Sequence, residues 1–113
     1  MPFINIKINT AVSAENMDTI KSALGQAVKA IPGKSENWLM VGIEPEYALW
    51  FKGSNAPAAM AEVSLYGDAP SSSFSKLTGS ITQILGDTLN IAPDRIYVKY
   101  SCTDDWGWNG SNF

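Results

Sequence analysis

Hydrophobic and polar positions alternate at the start of the chain and again near its end, at 96–100. Ile4, Ile6 and Ile8 alternate with Asn5 and Lys7. A period of two over β-branched residues predicts a strand with one apolar face. The same reasoning predicts a strand at 96–100, and the apolar residues beside the turn signals at 44–46 and 52–57 predict two more, at 38–43 and 59–66.

Two longer segments repeat apolar residues at helical spacing. The first begins after Ser13, a residue suited to an N-cap, and ends at Pro32-Gly33 after about eighteen residues. The second follows Pro70-Ser71. Its apolar positions are Phe74, Leu77, Ile81, Ile84, Leu85 and Leu89, and those of the first helix are Met17, Ile20, Leu24, Ala27, Val28 and Ile31.

The two halves of the chain repeat each other. A shift of 57 residues relates four apolar positions of the two helices and two of the strands. It places Ile20, Leu24, Ala27 and Val28 on Leu77, Ile81, Ile84 and Leu85, and Leu39 and Val41 on Ile96 and Val98. A helix between two strands predicts a right-handed crossover with parallel strands. We therefore expect one α+β domain over 1–113, an α/β two-layer sandwich of two β-α-β units. Its four-stranded mixed sheet should carry both helices on one face.

The opposite face of this sheet should have no cover within the chain. Its expected residues include Met40, Met60, Tyr66 and Tyr97, and exposing such large side chains to water is unfavourable. Self-association would cover them. They could also be ordinary exposed apolar residues on a monomer.

The amino-acid composition argues against several classes of function. The net charge is −3, with seven Lys and one Arg dispersed along 113 residues, so nucleic acid is not an expected partner. With Cys102 as the only cysteine and no histidine, neither a zinc site nor a Ser/His/Asp triad is expected. The N-terminus does not resemble a secretory signal, and no apolar run approaches the ~20 residues of a membrane span, which predicts a cytoplasmic protein.

Pro2 is the first residue in the chain that indicates a possible catalytic group. A small second residue generally permits removal of Met1, which exposes a secondary amine. The pKa of an exposed α-amino group lies near ~7.7 to 8.0, and burial or a nearby cation would lower it. Many unrelated proteins have proline at this position, so this feature alone indicates little.

Two blocks near the C-terminus are more specific: P-D-R-I-Y-V at 93–98 and G-W-N-G-S-N-F at 107–113. With Pro2-Phe3-Ile4 and Gly33-Lys34, they resemble the macrophage migration inhibitory factor and D-dopachrome tautomerase family of the tautomerase superfamily. The resemblance implies a homotrimer with active sites at subunit interfaces. It also implies a cofactor-independent keto–enol tautomerase that acts on small α-keto acids such as phenylpyruvate.

The resemblance assigns roles to individual residues. Pro2 would be the catalytic base, and Lys34 would hold the substrate carboxylate and keep the Pro2 amine neutral. Tyr66 would offer its backbone N–H to the ligand, and Tyr97 would enter from the neighbouring subunit. Without the resemblance, Lys34 reads as a solvated cation beyond a helix end.

Aromatic residues would form the pocket walls, although core or trimer packing is an equal interpretation for each one. Lys99 replaces an asparagine of the cytokine members and would add a second cation to the pocket. Tyr66 is larger than the usual aliphatic residue. Ala58–Ala61 replaces a Cys-x-x-Cys pair, which excludes thiol–disulfide chemistry there. The expected wall residues are Trp38, Trp106, Trp108 and Phe113.

A second function is compatible with the same scaffold, namely a cytokine-like signalling or binding protein with vestigial tautomerase activity and a protein receptor. Receptor surfaces carry no recognisable motif, so the sequence does not choose between the two. A relative specialised for dehalogenation or decarboxylation is less expected, because no water-activating carboxylate is recognisable beside Pro2 and Lys34.

Overall fold

The computed structural model describes residues 1–113, and its elements follow the order that the hydrophobic pattern predicts. The strands of the main sheet are β1 (Pro2–Ile8), β2 (Met40–Glu44), β3 (Ala59–Tyr66) and β4 (Ile96–Thr103), and the helices are α1 (Ala14–Ala27) and α2 (Ser71–Leu89). A short hairpin of β5 (Gly107–Trp108) and β6 (Ser111–Asn112) ends the chain, and 3-10 turns occupy Val28–Ala30, Glu36–Trp38 and Pro93–Arg95.

The helix ends have local causes. Ser13 is the N-cap of α1, as predicted, and its Oγ accepts a hydrogen bond from the Asn16 backbone N–H at 3.1 Å. The α-helix ends at Ala27, and a 3-10 turn follows in which Val28 stays buried. The predicted helix therefore comprised α1 and this turn together. Asn90 ends α2 in the left-handed conformation, with φ of 57°.

The strand order is β2-β1-β3-β4, with β1 and β3 antiparallel in the centre and each edge strand parallel to its neighbour. Phe3 pairs with Met40 in the first unit, and Met60 pairs with Tyr97 in the second. The shift of 57 residues relates these two pairs, so the repeat in the sequence is also a repeat in strand register. The predicted mixed sheet is confirmed.

A single core lies between the sheet and the two helices. Ile4, Ile6 and Ile8 of β1 are completely buried, while the residues between them are partly exposed. Burial of each such side chain contributes roughly 1.5–3 kcal/mol relative to exposure in water. The core residues are Ile4, Ile6, Ile8, Ile20, Leu24, Ile31, Ala59, Ala61, Val63, Leu65, Leu77, Ile81, Leu85, Ile91 and Ile96.

No helix covers the other face of the sheet, and Met40 and Tyr97 are 68% and 61% exposed there. Its centre, however, is polar. The Glu62 carboxylate lies 3.0 Å from Lys7 Nζ and 3.9 Å from Lys99 Nζ. The open face therefore combines exposed apolar groups near its margins with a charged row in the middle.

Two sequence expectations need correction. Trp38 lies in the 3-10 turn before β2 and not in the strand, which begins at Met40. The last strand was also predicted too short, because β4 continues beyond 100 to Thr103, and the β5–β6 hairpin follows it. No helix in the structure combines the length and apolar character needed to cross a bilayer.

Candidate functional site

One end of the sheet brings together the chain terminus, Lys34 and Tyr66. Pro2 opens β1 and pairs with Leu65 near the end of antiparallel β3. Lys34, in the turn after α1, donates a hydrogen bond from Nζ to the Tyr66 carbonyl oxygen at 3.0 Å. The Tyr66 N–H in turn donates to the Met1 carbonyl oxygen at 3.2 Å. Both backbone groups of Tyr66 thus connect the lysine to the terminus.

The amino group at this end is electrostatically unusual. Partial burial, followed by the charge of the nearby Lys34 ammonium, lowers the pKa of the Met1 α-amino group from 8.0 to about 6. A group with this pKa is mostly neutral at pH 7. The position therefore favours an amine that can accept a proton.

A cavity of about 360 Å³ opens beside the terminus, and we call it the N-terminal pocket. It combines the chain start with residues of the turn before β2 and with the C-terminal hairpin. The lining residues are Met1, Pro2, Asn37, Trp38, Leu39, Met40, Trp106, Gly107 and Trp108. Its walls are thus mainly apolar.

Aromatic contacts continue from this pocket to the end of the chain. The Trp38 and Trp108 rings meet edge to face with centroids 5.2 Å apart, and Trp108 is nearly parallel to Phe113 at 6.3 Å. Phe113 contacts Tyr66 at 5.2 Å, and its N–H donates to the Trp106 carbonyl oxygen at 3.1 Å. Because Trp38, Trp108 and Phe113 are each at least half exposed, these three do not belong to the core of the chain.

Tyr97 and Lys99 lie away from this pocket within one chain. Tyr97 pairs with Met60, whereas Pro2 pairs with Leu65, five residues further along β3, or roughly 17 Å at the rise of a strand. Lys99 shares the face of Tyr97 and approaches Glu62. A site that contains both Pro2 and Tyr97 would therefore need two chains.

Besides Met1, the sequence analysis missed four lining residues: Asn37, Leu39, Met40 and Gly107. No motif marked them as pocket residues in the sequence, and they reach the pocket from three elements: the 3-10 turn Glu36–Trp38 with the residue after it, the start of β2, and β5. Cys102 lies at the same end of the sheet, where desolvation and the Asp68 carboxylate raise its thiol pKa. The structure contains no group of three His, Cys, Asp or Glu side chains arranged to hold a metal ion.

Known proteins resemble this chain along its whole length. The macrophage migration inhibitory factor (MIF) family matches residues 1–113. The chain is 32% identical to macrophage migration inhibitory factor of Meriones unguiculatus and 31% identical to that of Mus musculus, with 94% of this chain and 95% of each relative covered.

Solved structures of the same family are similar to this chain. MIF2 of Leishmania major superposes with a TM-score of 0.94 at 30% identity, covering 100% of this chain and 97% of that one. The macrophage migration inhibitory factor homologue of Prochlorococcus marinus gives 0.85 at 25% identity, with 98% of both chains covered. This chain, with the fold of the tautomerase superfamily, belongs to the macrophage migration inhibitory factor family.

Proposed function

We propose that the protein is a cofactor-independent keto–enol tautomerase that acts on small α-keto acids such as phenylpyruvate. Family membership supports tautomerase-type isomerase activity in general. The observation that carries the finer proposal is the terminal amine beside Lys34, where the α-amino pKa falls to about 6 next to an aromatic-lined cavity.

The proposed base is Pro2 after removal of Met1. Its nitrogen then becomes the terminus, and because Pro2 lines the same pocket, we expect desolvation and the Lys34 charge to lower the pKa of the Pro2 amine in the same direction. A neutral secondary amine takes a proton from C3 of the substrate, the carbon next to the keto group. The C–H electron pair forms the carbon–carbon double bond, and the carbonyl oxygen gains a proton; ketonisation follows the reverse path.

Lys34 and Tyr66 complete the proposed site. The Lys34 ammonium attracts the substrate carboxylate while its bond to the Tyr66 carbonyl holds it in place. Loss of Met1 also releases the Tyr66 N–H, which donates to the Met1 carbonyl in the full chain. That N–H becomes available to a substrate oxygen. The half-exposed rings of Trp38, Trp108 and Phe113 would contact the aryl group.

We further propose a homotrimer with sites at the subunit interfaces, in which Tyr97 and Lys99 reach the pocket of the neighbour. The uncovered sheet face and the 61% exposure of Tyr97 support this arrangement. So does the separation of Tyr97 from Pro2 along the sheet.

The first experiment combines intact mass with an enol-to-keto assay on phenylpyruvate. Protein whose mass shows that Met1 is gone should be active, and a fraction that retains Met1 should not. Absence of activity in fully processed protein would contradict the enzyme proposal and favour the binding or signalling alternative.

Subunit complementation tests the interface. A variant with an alanine inserted ahead of Pro2 and a Tyr97→Ala variant should each be nearly inactive alone. Co-refolded in equal amounts, they should recover about a quarter of the sites, because a site then combines an intact Pro2 and an intact Tyr97 from different chains. No recovery in trimers of proven mixed composition would refute a shared site.

A further inference from the structure

Arg95 is the only arginine of the chain, and its guanidinium donates hydrogen bonds to backbone carbonyl oxygens. Nε donates to the Pro57 oxygen at 3.0 Å, and Nη1 donates to the Phe51 oxygen at 3.2 Å. Nη2 donates to the oxygens of Ser54 and Ala56, both at 3.0 Å. Four carbonyls within seven residues thus meet one rigid donor group, which fixes the segment 51–57 against the start of β4.

The segment itself turns tightly. Phe51 and Ser54 exchange backbone hydrogen bonds of 2.9 and 3.1 Å. Between them, Lys52 and Gly53 have φ of 53° and 73°, as in a type I′ turn. The Arg95 guanidinium also lies 5.4 Å from the Phe51 ring centroid. Arg95 therefore restrains both the backbone and the side chain of Phe51.

The Phe51 ring in turn meets Tyr97. Their centroids are 4.8 Å apart at an interplanar angle of 83°, an edge-to-face contact. Despite this contact, Tyr97 is 61% exposed. Phe51 is the only aromatic ring found against it, so the orientation of Tyr97 depends on where Phe51 is held.

We propose that Arg95 is a positioning residue for the active site of the neighbouring subunit: it fixes Phe51, and Phe51 orients Tyr97 toward that subunit's substrate. This inference rests on the proposed function. It adds Arg95 to the residues on which the proposed site depends. Arg95 does not contact the substrate and acts through its contact with the Phe51 ring and the contact of that ring with Tyr97.

The test uses Arg95→Met in the processed protein, with KM and kcat for phenylpyruvate as readouts. Methionine keeps the aliphatic stem but none of the donors. We expect KM to rise about tenfold with a smaller change in kcat, because a disoriented Tyr97 weakens substrate placement. Lys52→Met is the matched control. It removes the other cation near the Phe51 ring, at 5.7 Å, but breaks no backbone hydrogen bond, and KM should be unchanged.

A double-mutant cycle separates positioning from general destabilisation. In a Tyr97→Ala background, Arg95→Met should add little to the loss, since the residue through which it acts is absent. Full additivity would overturn the proposal. Phe51→Leu provides a second route if Arg95→Met does not assemble, because it removes the ring contact and keeps every Arg95 bond. It should raise KM to a similar extent, and an unchanged KM would also overturn the proposal.

The two proposals fail in different ways. An inactive parent protein would refute the tautomerase. An active parent that is sensitive to Tyr97→Ala but insensitive to Arg95→Met and Phe51→Leu would refute only the positioning role.

Discussion

The two β-α-β units share their fold, but the proposed base Pro2 and the proposed carboxylate-binding Lys34 both lie in the first. The shift of 57 residues that relates their strand registers places Pro2 on Ala59 and Lys34 on Ile91. Ala59 and Ile91 are both buried core residues. At the position equivalent to the terminal amine, the second unit instead has a continuous peptide, in which the Ala58 N–H donates to Asn9 Oδ1 at 2.8 Å. The repeated sequence therefore explains the shared fold of the two units. Pro2, at the start of the chain, and Lys34 are what the first unit has and the second lacks.

The largest effect should come from removing the terminal character of Pro2, the feature that the second unit lacks. Inserting an alanine ahead of Pro2 converts the amine into a non-basic amide, and we expect kcat/KM to fall by about 10²- to 10⁴-fold. Pro2→Gly keeps a terminal amine and should retain weak activity. Phenylpyruvate turnover measures both, with circular dichroism as the control for folding. An alanine-extended protein with the rate of the processed form would rule out Pro2 as the base.

The next effect concerns Lys34, whose counterpart Ile91 has no charge. Lys34→Ala should weaken binding of α-keto acids by roughly 1.5–3 kcal/mol, about 10- to 150-fold, because a charge-assisted bond is lost. Uncharged analogues should bind almost as before. Lys29→Ala is the matched control, since Lys29 lies near the end of the same helix but bonds Gln26 at 2.9 Å. Equal losses for charged and uncharged ligands would show that Lys34 does not hold the carboxylate.

The pH dependence of kcat/KM also tests the role of Lys34 beside the terminal amine. Burial and Lys34 lower the pKa of the Met1 amine to about 6, and the Pro2 amine of the processed protein should be lowered in the same direction. A base acts when neutral, so kcat/KM should fall as pH drops through a value well below 8. In Lys34→Ala the transition should move to higher pH, since a cation that disfavours the protonated form is gone. A transition that stays near 8 in both proteins would contradict this assignment.

The smallest expected effect lies in the second unit and concerns stability. The Tyr100 hydroxyl joins β4 to α2 through Thr78 Oγ1 and the Phe74 carbonyl, each at 2.8 Å. Tyr100→Phe should lower the free energy of unfolding by about 0.5–1.5 kcal/mol per bond lost and leave tautomerase kinetics unchanged. Urea unfolding at one fixed protein concentration measures this. A change in KM equal to that of Lys34→Ala would mean that the Tyr100 hydroxyl contributes to the site and not only to stability.

The same hydroxyl predicts an alkaline effect. Desolvation raises the Tyr100 pKa above its usual 10.0, so its contribution to stability is complete below that pH and is lost as pH rises through the higher value of the folded protein. Unfolding measured between neutral and strongly alkaline pH should show a smaller dependence in Tyr100→Phe than in the parent. Identical pH dependence in both proteins would contradict this.

The sequence by itself determined the strands, the helices and their repeat, because the burial of alternate or helically spaced side chains is a local property of the chain. It also marked Pro2 and Lys34, through chemistry and family resemblance. Only the tertiary structure decided which residues meet. Register across β1 and β3 places Pro2 near Tyr66 and far from Tyr97, and a 3-10 turn moves Trp38 out of the strand and into the pocket. Such contacts depend on how segments that are distant in the sequence pair with each other. The periodicity of side chains within one segment does not predict this pairing.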